Sequence, residues 1–319
     1  MADRLTLFPR AFHAVTRTGR VLFRGGFGKS VPLVEPAEGV VSANGIDLAY
    51  LDWRTAVGPS AHSVPLVLLH GLNTHAWAWA RAASLLSPAV RVLAPSLRGH
   101  GESGVPATGY GLDQTTADLL GFLDALGLPQ VHLAGHSWGG KVAFHFAASH
   151  PERVRSLVLA DPVLPAGMNR VLTSLPFLRN AAFAPERATY TTRAALDAAR
   201  RHMLYITSWD DADQRLWHGM FRPLPGGCWH PRLPDRQFAE ILTSMSRDVR
   251  HLVPRVACPV LVLRPDFSVS FLPGEARKQL RKLRSCRWGR VSGDHTFVHS
   301  NATDTARWLS DFIDRSGTP

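Results

Sequence analysis

Short apolar runs recur along this chain at 66–69, 90–94, 131–134, 156–160 and 259–264. Each is too short for a stable helix. The run Leu-Val-Leu-Leu at 66–69 has no polar alternation, as in a strand buried on both faces of a parallel sheet. Between the runs lie helical stretches: one rich in alanine and tryptophan ending near Leu86, one over 112–126 with apolar residues at 3–4 spacing, and an apolar one over 141–148. An earlier pair of extended segments, 40–53, reads as a hairpin turned at Asn44-Gly45. Strand and helix in alternation predict an α/β fold with a doubly wound, mostly parallel sheet. From about 165 to 250 the rhythm changes. Helices are expected near 192–204, 211–219 and 235–248, separated by Pro- and Gly-rich joints such as 223–227, with no clear apolar strand. The sheet pattern then resumes at 259–264. A basic helix over 275–284, a strand near 287–291 and a closing helix over 303–313 follow.

This pattern divides the 319 residues into a basic N-terminal extension (1–38), a core (39–164 and 251–319) and a helical insertion (165–250). No apolar run approaches the ~18–20 residues of a membrane span. Leu5-Thr6-Leu7-Phe8 is too short for a secretory core and is ended by Pro9-Arg10. Three widely spaced cysteines, Cys228, Cys258 and Cys286, suggest neither a disulfide framework nor a metal cluster, which points to a reducing, cytoplasmic setting. The net charge of +11 raises nucleic acid as a partner, but no nucleic-acid motif accompanies it, so none is expected. In the first thirty residues, Leu5, Phe8, Phe12, Val15, Leu22 and Phe23 are interleaved with arginines. Such a segment suits the protein's own body, or a membrane surface, where it would give weak association with anionic lipid. Pro9 and Gly19 interrupt the pattern and favour the first. Gly25 to Ser30 looks like the end of a phosphate loop, but position 23 is Phe where the first glycine belongs.

The candidate chemistry centres on Gly135-His136-Ser137-Trp138-Gly139-Gly140. A serine squeezed between a strand end and a helix start needs small neighbours, because the turn is tight. The turn lifts the hydroxyl clear of the sheet, and the helix N-terminus, with its unpaired amides, points at the same place. A nucleophile whose intermediate becomes an oxyanion requires that arrangement. Ser137 is therefore the candidate nucleophile.

The order of parts resembles the α/β-hydrolase fold over about residues 38–315. His70-Gly71 after the strand at 66–69 is similar to the family's oxyanion loop. Arg98 to Ser103 resembles the loop after the next strand, with Ser96 where an aspartate usually stands. Gly135 to Gly140 matches the nucleophile elbow, Gly293-Asp294-His295 matches the loop of the catalytic histidine, and 165–250 sits where the family places its cap. The resemblance implies His295 as general base, the amides of Leu72 and Trp138 as oxyanion hole, and an acid that orients the imidazole. The family's common spacing after 259–264 falls on Phe267 to Val269, none of which can serve; Asp266 is slightly early. Some members take the acid from the end of the strand after the nucleophile helix, where Asp161 precedes Pro162. Asp161 is preferred, Asp266 is the alternative, and an absent acid is the third reading.

The function implied is a serine hydrolase that cleaves an ester, thioester or lactone through an acyl-enzyme, with no cofactor and no metal. A carbon–carbon bond hydrolase and a catalytically impaired ligand-binding homologue are the alternatives. The insertion carries Met203, Tyr205, Trp209, Trp217, Met220, Phe221 and Trp229. If several face the elbow, the partner is a largely apolar small acyl substrate; otherwise they form the insertion's own core.

Overall fold

The computed structural model describes residues 31–54, 64–164, 183–203, 206, 208–268, 277–278 and 280–317. The N-terminal amphipathic segment, the 25–30 glycine run, Tyr205 and part of the basic helix at 275–284 lie outside them. Among the described residues no helix is long and apolar enough to cross a membrane.

Strands β1 (Ala37–Ala43) and β2 (Ile46–Trp53) form an antiparallel hairpin. Its turn is Asn44-Gly45, both with positive φ (49° and 76°), the conformation that an Asn-Gly pair adopts at low cost. Next come β3 (Leu66–Leu69), α1 (Ala80–Leu86), β4 (Val92–Pro95), α2 (Leu112–Ala125), β5 (Val131–His136), α3 (Trp138–Ser149) and β6 (Val154–Ala160). The chain then makes α4 (Ala184–Arg187), α5 (Arg193–Ala199), α6 (Asp211–His218), β7 (Phe221–Pro223), β8 (Trp229–Pro231) and α7 (Asp235–Met245). It closes with β9 (Val260–Phe267), β10 (Cys286–Asp294), α8 (Phe297–Ser300) and α9 (Ala302–Gly317).

One eight-stranded sheet has the order β1-β2-β4-β3-β5-β6-β9-β10. Only the β1–β2 and β2–β4 pairs are antiparallel. Period-two alternation sends successive residues of β3 to opposite faces. Val67 and Leu69 join a core with Phe122, Phe144 and Phe146 on one side, and Leu66 and Leu68 join Trp79, Leu309 and Phe312 on the other. All four are fully buried, as expected of an all-apolar strand between two helical layers.

The region between β6 and β9 departs from the sequence expectation by an added short helix, α4, an α5 that ends at Ala199, and a pair of strands. Phe221–Pro223 and Trp229–Pro231 pair as a small antiparallel hairpin, so the Pro- and Gly-rich joint at 223–227 is its turn. Gly226 and Gly227 have φ of 87° and 83°, which a side chain would disfavour. Three-residue strands are too short to show an apolar pattern. Of the aromatic residues here, Trp217 stacks edge-on against Phe221 at 5.0 Å and Phe221 against Tyr190 at 5.6 Å. Trp217 also donates Nε1–H to Leu196 O at 2.9 Å. These side chains pack on one another. Helix α7 instead places Phe238, Ile241, Leu242 and Met245 in the core over one face of the sheet.

Candidate active site

The parallel register aligns the strand ends that carry the chemistry. Leu69 pairs with Gly135, His136 with Ala160, and Ala160 with Leu263. The residues that follow β3, β5 and β6 therefore emerge side by side at one edge of the sheet. In open α/β sheets that edge, outside the strands' carboxyl ends, is where ligands bind.

At the end of β5, Ser137 has φ 53° and ψ −113°, a sparsely populated conformation that costs of order 1–3 kcal/mol. Its neighbours explain how the turn is accommodated. A Cβ at Gly135 would lie 2.2 Å from Gly139 O, and one at Gly139 would lie 2.4 Å from His70 O. Only glycine permits either approach. The Ser137 N–H donates to Ala160 O at 3.0 Å, and its carbonyl accepts from Lys141 N at 3.2 Å and Val163 N at 3.3 Å. Helix α3 starts at Trp138, three residues earlier than the apolar pattern suggests. The Trp138 indole is buried against the core while its amide lies in the first helical turn. Among the described residues neither this N–H nor that of Leu72 donates to another protein atom. The loop of Leu72 abuts the elbow: a Cβ at Gly71 would sit 3.3 Å from Ser137 Cβ and 3.0 Å from His136 Nδ1.

His70 holds that loop in place, a role the sequence did not reveal. Its Nδ1–H donates to Gly71 O at 2.7 Å, and its Nε2 accepts from Leu97 N–H at 2.9 Å. That pairing sets the tautomer. Burial, with His100 adding to it, holds its pKa well below the ordinary imidazole value, so the ring is neutral.

His295 and Asp161 meet directly. His295 Nδ1 is 2.6 Å from Asp161 Oδ2. A carboxylate can only accept, so Nδ1 carries a hydrogen, and in the neutral ring the lone pair is then on Nε2. Asp161 is fully buried. Its other oxygen, Oδ1, accepts from Ser268 Oγ at 2.5 Å. Asp161 N donates to Leu263 O at 2.9 Å, and its φ is 42°. A residue before proline is biased toward extended backbone; here these hydrogen bonds outweigh that bias, and aspartate tolerates the left-handed region better than most residues. His136, next to Ser137, links the two halves of the site. Its Nε2–H donates to His295 O at 2.6 Å, and the two rings lie 4.7 Å apart. Burial pushes the His136 imidazole down to about 3, with His295 adding to the effect, so it is a neutral spacer. Among the described residues Ser137 Oγ has no hydrogen-bond partner.

Asp266 is placed differently. Strand β9 runs to Phe267 because Val291 and Asp294 of β10 pair with Pro265 and Phe267. Asp266 is therefore a strand residue, exposed, with Oδ1 2.5 Å from Arg290 Nε and Oδ2 3.4 Å from Gly293 N. It binds β10, and among the described residues it has no hydrogen bond to the imidazole. At the position where the family's spacing puts an acid stands Ser268, whose hydroxyl turns back to Asp161. A hydroxyl residue in that loop was visible in the sequence, but its direction was not.

With this geometry in hand, the chain can be placed among known proteins. The family model described as alpha/beta hydrolase fold matches residues 64–221. Lipase LipV of Mycobacterium tuberculosis is 37% identical over 139 residues, covering 41% of this chain and 52% of LipV. The 2-hydroxy-6-oxo-2,4-heptadienoate hydrolase of Pseudomonas putida is 32% identical over 197 residues, covering 59% of this chain and 67% of that enzyme. Other relatives carry epoxide hydrolase names. The chain thus spans about half the length of LipV. Among solved structures, E-2-(acetamidomethylene)succinate hydrolase superposes with a TM-score of 0.74 at 24% identity, covering 88% of this chain and 100% of that one. The chain belongs to the α/β-hydrolase fold family.

Proposed function

We propose that this α/β hydrolase is a serine hydrolase acting on an ester, thioester or lactone through an acyl-enzyme. The observation that carries the reading is the 2.6 Å contact between His295 Nδ1 and the buried Asp161 carboxylate. It leaves Nε2 as the basic nitrogen of a ring packed against the residue before Ser137. In the proposed reaction Ser137 Oγ attacks the substrate carbonyl carbon while its proton passes to His295 Nε2. The carbonyl oxygen becomes an oxyanion, met by the amides of Leu72 and Trp138. Each such donor is typically worth ~3 kcal/mol. Collapse expels the alcohol or thiol, which takes the proton from His295. Water then attacks the acyl-enzyme by the same route in reverse, with Asp161 holding the imidazole's tautomer and stabilising its cation. That Ser137 Oγ has no hydrogen-bond partner among the described residues is compatible with this, because catalytic hydrogen bonds often tighten only when substrate binds.

A second reading, carbon–carbon bond hydrolysis, is favoured by the heptadienoate hydrolase relative. Both chemistries use a serine, a histidine and an oxyanion site, so geometry alone does not separate them. A fluorophosphonate probe should label Ser137. Purified protein should then be offered chromogenic esters of increasing chain length beside a dienoate ketone. Ester turnover supports the first reading, and ketone cleavage without ester turnover supports the second. No labelling and no turnover would leave a ligand-binding homologue.

A further inference from the structure

Where β8 and α4 meet the loops of the core lies a small cavity of about 10 Å³. Its polar lining includes Asn73, His100, Glu186, Arg187 and Arg232. Among the described residues, each contributes a buried polar atom without a hydrogen-bond partner: Asn73 Nδ2, His100 Nε2, Glu186 Oε2, Arg187 Nε and Arg232 Nε. Asn73 and His100 are 8% and 3% exposed, and Glu186, Arg187 and Arg232 are half-buried. Buried polar atoms are nearly always paired, and five orphans around one void need an explanation.

Their chemistry is mixed. Asn73 Nδ2, Arg187 Nε and Arg232 Nε are donors. His100 donates Nδ1–H to Arg98 O at 2.9 Å, so its Nε2 is an acceptor, and burial holds its pKa down at about 4. The Glu186 oxygen accepts, or donates when protonated; burial pushes that carboxyl up to about 7. The two guanidiniums bring little net charge, because Arg187 is paired with Asp235 and Arg232 with Glu102. A carboxylate guest would find donors but also a second carboxyl and an imidazole lone pair. The volume is about that of one water molecule. A group that fits must be a single oxygen that both donates and accepts.

We infer that this cavity is a subsite for a hydroxyl group carried by the substrate. Its position suits that role. Asn73 and Thr74 directly follow Gly71 and Leu72, and Gly71 abuts Ser137. A substrate with its carbonyl at Ser137 can extend a hydroxylated arm into the seam. The inference rests on the serine-hydrolase reading for the location of that carbonyl.

The test uses matched pairs of esters of increasing length that end in a hydroxyl or a methyl, on the acyl side or the alcohol side, followed by pH-stat. Half-esters of dicarboxylic acids serve as a third set. The wild-type enzyme is expected to favour the hydroxyl member at one length by at least about tenfold in kcat/KM, mainly through KM, as for sites built to hydrogen-bond a substrate hydroxyl. Glu186→Leu and Arg232→Met should erase that preference while the methyl ester stays within about twofold. Equal rates for the pairs at every length in the wild type overturn the proposal and assign the cavity to a resident water. A preference for the half-ester overturns it in favour of an anion site. If no ester turns over, calorimetric titration of the same pairs into Ser137→Ala decides: tighter binding of the hydroxyl member keeps the subsite while the hydrolase reading falls, and equal or absent binding overturns the subsite.

Discussion

Two neighbouring strand ends carry an aspartate each, and the molecule treats them in opposite ways. At the end of β6 the chain turns at once into Asp161, which is wholly buried and bonded to His295 and Ser268. At the end of β9 the strand continues past the edge, and Asp266 stays on it, exposed and paired with Arg290. A carboxylate that holds an imidazolium gains most where water is excluded, since the effective dielectric there is low. A carboxylate paired with a guanidinium in water contributes little. The contrast in placement follows from how far each strand runs. A shift of a few residues along the sequence does not decide it.

The largest effect in the site should come from the group that both aspartates would serve. Ser137→Ala is expected to lower ester turnover by about 10⁶, as for other serine nucleophiles, with the fold intact by circular dichroism. Substantial activity in the purified variant would end the serine mechanism, and the comparison of acids with it. Next, Asp161→Asn should cost about 10³–10⁴ in kcat, with slow phosphonate labelling of Ser137 retained, because an asparagine can hold the wrong imidazole tautomer. Ser268→Ala removes a hydrogen bond to a charged group, typically worth ~1.5–3 kcal/mol, and should cost about tenfold to a hundredfold. Asp266→Asn should cost at most about tenfold, since it disturbs only a solvent-facing pair. Kinetics of the three variants at matched stability test the ranking; an Asp266→Asn enzyme slower than Asp161→Asn would reverse it.

The smallest effect on rate belongs to the support of the nucleophile helix. Lys141, fully buried in the first turns of α3, donates Nζ–H to Met245 O at 2.6 Å and also to Arg247 O. It thereby caps the C-terminal end of α7 and ties that helix to the elbow. Burial pushes its ammonium down to about 7 from 10.5, against the pull of Asp248. Below pH 7 the charge is present in both folded and unfolded chains, and its burial cost is felt in full. Between pH 7 and 10.5 the folded chain has released a proton that the unfolded chain keeps, so stability rises with pH across that window. Lys141→Met should flatten this rise in Tm between pH 7 and 10 and change kcat little. An unchanged slope in the variant would show that the ammonium titrates normally.

The cavity between the β6–β9 region and the loops after β3 and β4 was invisible in the sequence. Asn73, His100, Glu186, Arg187 and Arg232 are ordinary polar residues along the chain, spread over 160 positions. Only folding brings them around one void. The same holds for Ser268 and His70, whose partners are 107 and 27 residues away.

What the sequence determined by itself was whatever depends on local geometry. Apolar runs of strand length, helices at 3–4 spacing and the Asn44-Gly45 turn follow from backbone and side-chain sterics acting over a few residues. So does the elbow, because Gly135 and Gly139 admit the close backbone approach that a strained Ser137 requires. Which of Asp161 and Asp266 meets His295 was of another kind. It depended on the pairing of β9 with β10, which carries one aspartate past the edge, and on the register of β6 with β9, which leaves the other beside His295. Pairing between distant segments sets which side chains share a low-dielectric space, and only the tertiary structure decides that.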